Sequence, residues 1–166
     1  VMLRFLFQLL RVDFHNPVSQ FVVKMTSPAL RPLRKFIPGL AGIDMASLVL
    51  AWLVKSAELI LVILLSGNAM IFAAFLWAIP ALVSLVFTIF IAALIILAIM
   101  SWVPSLQSHP LAWIMRAFTE PLLTPIRRRV PAVSGLDFSV MIAIVGLIFM
   151  KMLVIPPLAK LFGGPA

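Results

Sequence analysis

Three ionisable residues stand in segments otherwise fit for hydrocarbon: Lys55, Glu58 and Lys151. Lys55 and Glu58 are three residues apart, a helical spacing that puts them on one face. Lys55 lies eleven residues after Asp44, about 16 Å along a helix and near the middle of a bilayer. Charges at that depth are costly to insert and must face one another, a partner or water, so they are candidates for function. Two arrangements are open: buried charges that neutralise one another and fix helix register, through a local Lys55–Glu58 pair or an interhelical Glu58–Lys151 pair, or a polar path for ions or protons. The remaining reactive inventory is thin. Ser101 and His109 lack a glycine-flanked nucleophile motif or an orienting acid. His15 and His109 have no metal-ligand spacing and read as ordinary polar residues. No catalytic residue, cofactor site or metal site is assigned, and without cysteine there is no disulfide or thiolate chemistry.

The elements that must carry these charges follow from composition. The chain has 166 residues, 64% hydrophobic and 11% charged, with mean hydropathy +1.22, far from the mix of a soluble domain. Apolar segments at Met45–Leu65 and Phe138–Ile155 each match one bilayer crossing. A longer tract, Ala69 to Val103, is divided by Pro80: Ala81–Val103 reads as a full crossing and Ala69–Ile79 as a shorter interfacial or tilted helix kinked into it. Val1–Leu10 is about half a crossing, which suggests that the chain begins inside a span; a short interfacial helix is the alternative. The expected fold is all-α and polytopic.

Two connectors, residues 11–44 and 104–137, align without a gap when the sequence is shifted by 93 positions. Pro17, Thr26, Pro28, Leu30, Pro32, Arg34, Pro38, Gly42 and Asp44 fall on Pro110, Thr119, Pro121, Leu123, Pro125, Arg127, Pro131, Gly135 and Asp137. Nine identities in 28 positions, mostly of rare residue types, point to a duplication, with one repeat over residues 1–68 and the second over 69–166. Each repeat reads as span, connector, span.

The pattern T-x-P-x-L-x-P-x-R-x-x-x-P-x-x-x-G-x-D, together with DFHNPVSQFVVK and IMSWV, resembles the YggT (YlmG) family of small bacterial membrane proteins with plastid relatives. The resemblance implies a multi-pass protein of the bacterial inner membrane and does not imply an enzyme; none is expected. It also implies a link to osmotic-stress tolerance, cytochrome assembly or nucleoid and division organisation.

Within the connectors, Asn16 can cap a helix that Pro17 opens. Val18, Phe21, Val22 and Met25, and in the second copy Leu111, Ile114, Met115 and Phe118, form apolar stripes suited either to the headgroup boundary or to the protein's own spans. The prolines are expected to push Ser27, Arg31 and Ile37 out of helical geometry into a stiff, non-helical path at the wet interface. Arg31, Arg34 and Lys35, with Arg127, Arg128 and Arg129, would meet anionic lipid headgroups. Nucleic acid is disfavoured because no aromatic platform interleaves the cations. No charged residue occurs between Glu58 and Arg116, and two crossings separate the connectors, so both are expected on the cytoplasmic side. Gly42 and Gly135 suit turns, while Asp44 and Asp137 suit helix caps or pairs with Arg34 and Arg127. The functional expectation is an organising or assembly factor with a membrane-protein partner or as a homo-oligomer; the alternative is a small ion-translocating or osmoprotective protein.

Overall fold

The computed structural model describes residues 1–13, 15–37, 39, 43–67, 70–130 and 138–164. The described residues form six α-helices and one short 3-10 turn. The helices are α1 (Met2–Leu9), α2 (Pro17–Phe36), α3 (Met45–Leu65), α4 (Ala73–Trp102), α5 (Pro110–Arg127) and α6 (Phe138–Leu161), and Pro104–Leu106 forms the turn. Three of them, α3, α4 and α6, are long and apolar enough to cross a membrane.

Helix α4 is the centre of the bundle, with α3, α5 and α6 packed on it, while α1 packs on α2 and α3. Just past the end of α3 the chain passes through Gly67, whose φ of 74° is a conformation that glycine adopts without steric cost. Lipid gives apolar side chains no drive to leave it, so spans associate through close backbone approach. Buried small residues one turn apart meet that need: Ser47 and Ala51 on α3, Ala74 and Ala78 on α4, Ser139 and Ala143 on α6. Larger side chains fill the end of the bundle beside the shorter helices. Phe118 of α5, fully buried, stacks on Phe90 of α4 at 4.6 Å and meets Phe7 of α1 edge-on at 5.7 Å.

Two expectations from the prolines are corrected. Helix α4 runs unbroken through Pro80, so residues 73–79 are its first turns and not a separate interfacial helix. Helices α2 and α5 likewise continue through Pro28, Pro32, Pro121 and Pro125, and Ser27 and Arg31 are helical. An interior proline costs about 3 kcal/mol through its lost donor and its clash with the preceding turn. Here the rings sit on exposed faces, one turn apart in each helix, and leave the inward faces to Leu30 and Leu123. Hydroxyls reinforce the turns just before them: Thr26 Oγ1 donates to Val22 O at 2.7 Å, Ser27 Oγ to Val23 O at 2.6 Å and Thr119 Oγ1 to Met115 O at 2.7 Å. At Ser27 and Arg31 the bias of a residue preceding proline does not prevail, and the helix continues with Leu30 packed inward between them. At Ile37, before Pro38, the bias prevails: its φ of −119° and ψ of 98° end α2.

Candidate functional site

The chain's polar groups gather at the ends of α2 and α5 and midway along the spans. Both connector helices open on a cap followed by proline. Asn16 Oδ1 accepts from the Val18 amide at 3.0 Å, and His109 Nδ1 accepts from the Leu111 amide at 3.2 Å. The histidine's cap role was not foreseen from sequence. Its place one residue before Pro110, matching Asn16 before Pro17, was the available signal. The two helix starts touch, since Asn16 Nδ2 donates to Pro110 O at 2.9 Å. The α5 stripe of Ile114, Met115 and Phe118 is buried in the protein rather than turned to lipid. On α2 the stripe divides: Val18 and Val22 pack against the core, while Phe21 and Met25 stay exposed.

At the far end of α2, Arg34 pairs with Asp44, which also caps α3 by accepting from the Ser47 amide at 3.3 Å and hydroxyl at 2.6 Å. Cap and ion pair, set apart as alternatives, are one arrangement. Burial would raise the Asp44 carboxyl, but the Arg34 guanidinium and the Ser47 donors outweigh it and hold the group below the usual carboxylate range. In the second connector Arg127 Nη1 donates to Glu120 Oε2 at 3.2 Å, a carboxylate with no counterpart in the first. Pro38, Gly42, Pro131, Gly135 and Asp137 lie outside the described residues.

Sequence reading missed Arg4. This α1 side chain is buried, with Nη1 donating to Val23 O at 3.3 Å, Thr26 Oγ1 at 3.0 Å and Ser27 Oγ at 3.1 Å. It braces α2 immediately before Pro28. A cation in an apolar run opposite the hydroxyls of Thr26 and Ser27 was its only trace in the sequence.

Midway along the spans, Lys55 Nζ donates to Glu58 Oε1 at 2.7 Å, and Lys151 Nζ donates to Thr88 Oγ1 of α4 at 2.8 Å. Of the two pairings open to Glu58, the local one forms, and the interhelical Glu58–Lys151 pair does not. The side chains of Lys55 and Glu58 are 24% and 57% exposed, so the pair lies at the bundle surface rather than inside it. Ser101 Oγ donates to Ala98 O, and His109 Nδ1 serves its cap, so these two are not brought together as an acid–base couple. Among the described residues no group of three or more acidic, histidine or cysteine side chains could hold a metal.

A helical bundle with three bilayer-length apolar helices, framed by two proline-bearing basic helices, defines a polytopic type of membrane protein. The chain belongs to the CCB3/YggT family, whose sequence model matches residues 1–65 and 76–158. It is 45% identical to an uncharacterized Pseudomonas aeruginosa protein over 168 residues, covering 99% of this chain and 85% of the relative. It is 39% identical to the uncharacterized protein YggT of Escherichia coli K12, covering 92% of this chain and 79% of the relative. A Vibrio alginolyticus protein is 38% identical over 160 residues, covering 92% and 84%. No solved structure matches.

Proposed function

We propose that this protein is a non-enzymatic organising or assembly factor of the bacterial inner membrane. In this reading it presents two basic helices at the cytoplasmic face and docks another transmembrane segment on the charged side of its spans. The observation that carries the reading is the outward placement of the Lys55–Glu58 pair, about 16–21 Å along α3 from its Asp44 cap. A charge pair facing hydrocarbon is costly, and a neighbouring helix relieves that cost where an interior channel would have enclosed the pair.

The connectors support the same reading. Their starts are joined through Asn16 and Pro110, which favours one shared membrane face. Lys24, Arg31, Lys35, Arg128 and Arg129 are exposed and hold no ion pair among the described residues. Each cation contributes about 1 kcal/mol beside an anionic leaflet. The duplication is supported by equivalent caps at Asn16 and His109, equivalent Thr26 and Thr119 bonds, and helix starts at Met45 and Phe138, all 93 residues apart.

The second reading is ion translocation by several copies, favoured by Lys151 and Thr88 forming a further polar contact within the spans. Photo-crosslinking from Val54 and Leu61, which flank the charge pair on α3, separates the two. Assembly predicts a defined crosslinked transmembrane partner or second copy, weakened by Glu58→Gln, without ion flux. Potassium or proton flux in reconstituted vesicles that Glu58→Gln abolishes, with no crosslinked product, would refute the assembly reading.

A further inference from the structure

Between α1 and α2 lies an open cleft of about 530 Å³, lined by Arg4, Gln8, Gln20, Val23, Lys24 and Arg34. The lining holds three cations, two amides and no carboxylate. Asp44 approaches only through Arg34 and is already engaged by that residue and Ser47. One negative charge therefore offsets one of the three positive ones.

Arg4 is the pre-set element. It is 8% exposed, and its bonds to Val23, Thr26 and Ser27 all use Nη1. A guanidinium carries five N–H donors in a rigid fork, so fixing one nitrogen orients the donors of Nε and Nη2, which have no partner among the described residues. Lys24, one residue after the carbonyl that Arg4 grips, is exposed and has no ion-pair partner among the described residues. Gln8 and Gln20 add amide groups that can donate to an oxyanion.

We propose that this cleft binds a phosphoryl group, with the Arg4 fork on two of its oxygens, Lys24 as a point charge and Arg34 at the rim. Arginine matches phosphate geometry through two parallel N–H···O bonds, and lysine supplies charge without directional demand. The cleft's level supports a headgroup: Arg34 is tied to the residue that caps α3, at the boundary where a span begins and lipid phosphates lie. A free phosphate ester would meet the same chemistry. The inference does not rest on what docks against the spans.

The test is calorimetric titration of the full chain in neutral detergent with three probes: inorganic phosphate, a short-chain phosphatidylglycerol and a short-chain phosphatidylcholine. The expected result is binding of the anionic lipid, weakened about tenfold by Lys24→Gln, the loss of one charge-assisted contact. Arg4→Lys should weaken binding as well, by removing the fork while keeping the charge. Binding of phosphatidylglycerol without inorganic phosphate identifies a headgroup site; binding of both identifies a site for the free anion too. The Lys24 side chain makes no ion pair or hydrogen bond among the described residues, so its variant tests the cleft without removing a contact of the fold. Equal affinity for both lipids with no effect of Lys24→Gln, or no binding of any probe, overturns the proposal.

Discussion

Replacing Asp44 by asparagine tests whether one carboxylate both caps a span and anchors a connector. Asparagine caps about as well as aspartate, so the Ser47 amide bond to Oδ1 should survive, while the charge and the Oδ2 acceptor shared by Arg34 and the Ser47 hydroxyl are lost. Exposed ion pairs contribute about 0–1 kcal/mol, whereas removing one member of a buried pair costs about 3–5 kcal/mol. With the Asp44 side chain 6% exposed and that of Arg34 43% exposed, the pair falls between these limits, at about 2 kcal/mol. A double-mutant cycle of Asp44→Asn and Arg34→Gln, read by reversible unfolding in mixed micelles, should therefore return a coupling near 2 kcal/mol. The acid dependence has a definite sign. Because the folded carboxyl sits below its ordinary value, the pair's contribution is complete above about pH 4 and is lost as the pH falls through the lowered folded value. Asp44→Asn should flatten that acid limb. A coupling under about 0.5 kcal/mol, or an unchanged acid limb, would show that the contact does not stabilise the fold.

Phe118→Ala should cost about 3–5 kcal/mol in the same unfolding assay, because it empties a fully buried site shared by α1, α4 and α5. Ser56 Oγ is buried without a hydrogen-bond partner among the described residues, so Ser56→Ala should be neutral or raise stability by up to about 1 kcal/mol; a clear loss would reveal a bond to that hydroxyl. Trp52 Nε1 donates to Phe75 O at 2.9 Å across α3 and α4, and Trp52→Phe should cost about 0.6 kcal/mol, the usual yield of an interhelical bond in a membrane.

Much of this was legible in the residues. Met45–Leu65 is a helix at the expected bounds, because a 21-residue apolar run opened by a capping aspartate specifies both ends locally. The closing span starts at Phe138 as expected but continues to Leu161, through Pro156 and Pro157, where an apolar count stops at Ile155. Proline misled most. Its local bias argues for a break at Pro28, Pro32 and Pro80, yet packing on the inward face decides the outcome, and that energy is invisible in a dipeptide. The charges divided in the same way. Lys55 and Glu58 were readable as a helical couple from spacing alone, whereas Lys151 found Thr88 because α6 packs on α4, a choice made by the tertiary arrangement. Arg4 was overlooked because its partners are carbonyl and hydroxyl oxygens on another helix, which leave no charge pattern to read.

The length of α4 sets a relation between this protein and its surroundings. Thirty helical residues span about 45 Å, against roughly 30 Å of hydrocarbon in an average bilayer. With Phe72 and Trp102, both largely exposed, at its two ends, the helix must lean or protrude, and each ångström of thickness mismatch costs a fraction of a kcal/mol. Since α3, α5 and α6 all rest on it, a thinner or thicker membrane changes the posture of the whole molecule. Acyl-chain length is thus a physical input to this fold, acting through its longest helix.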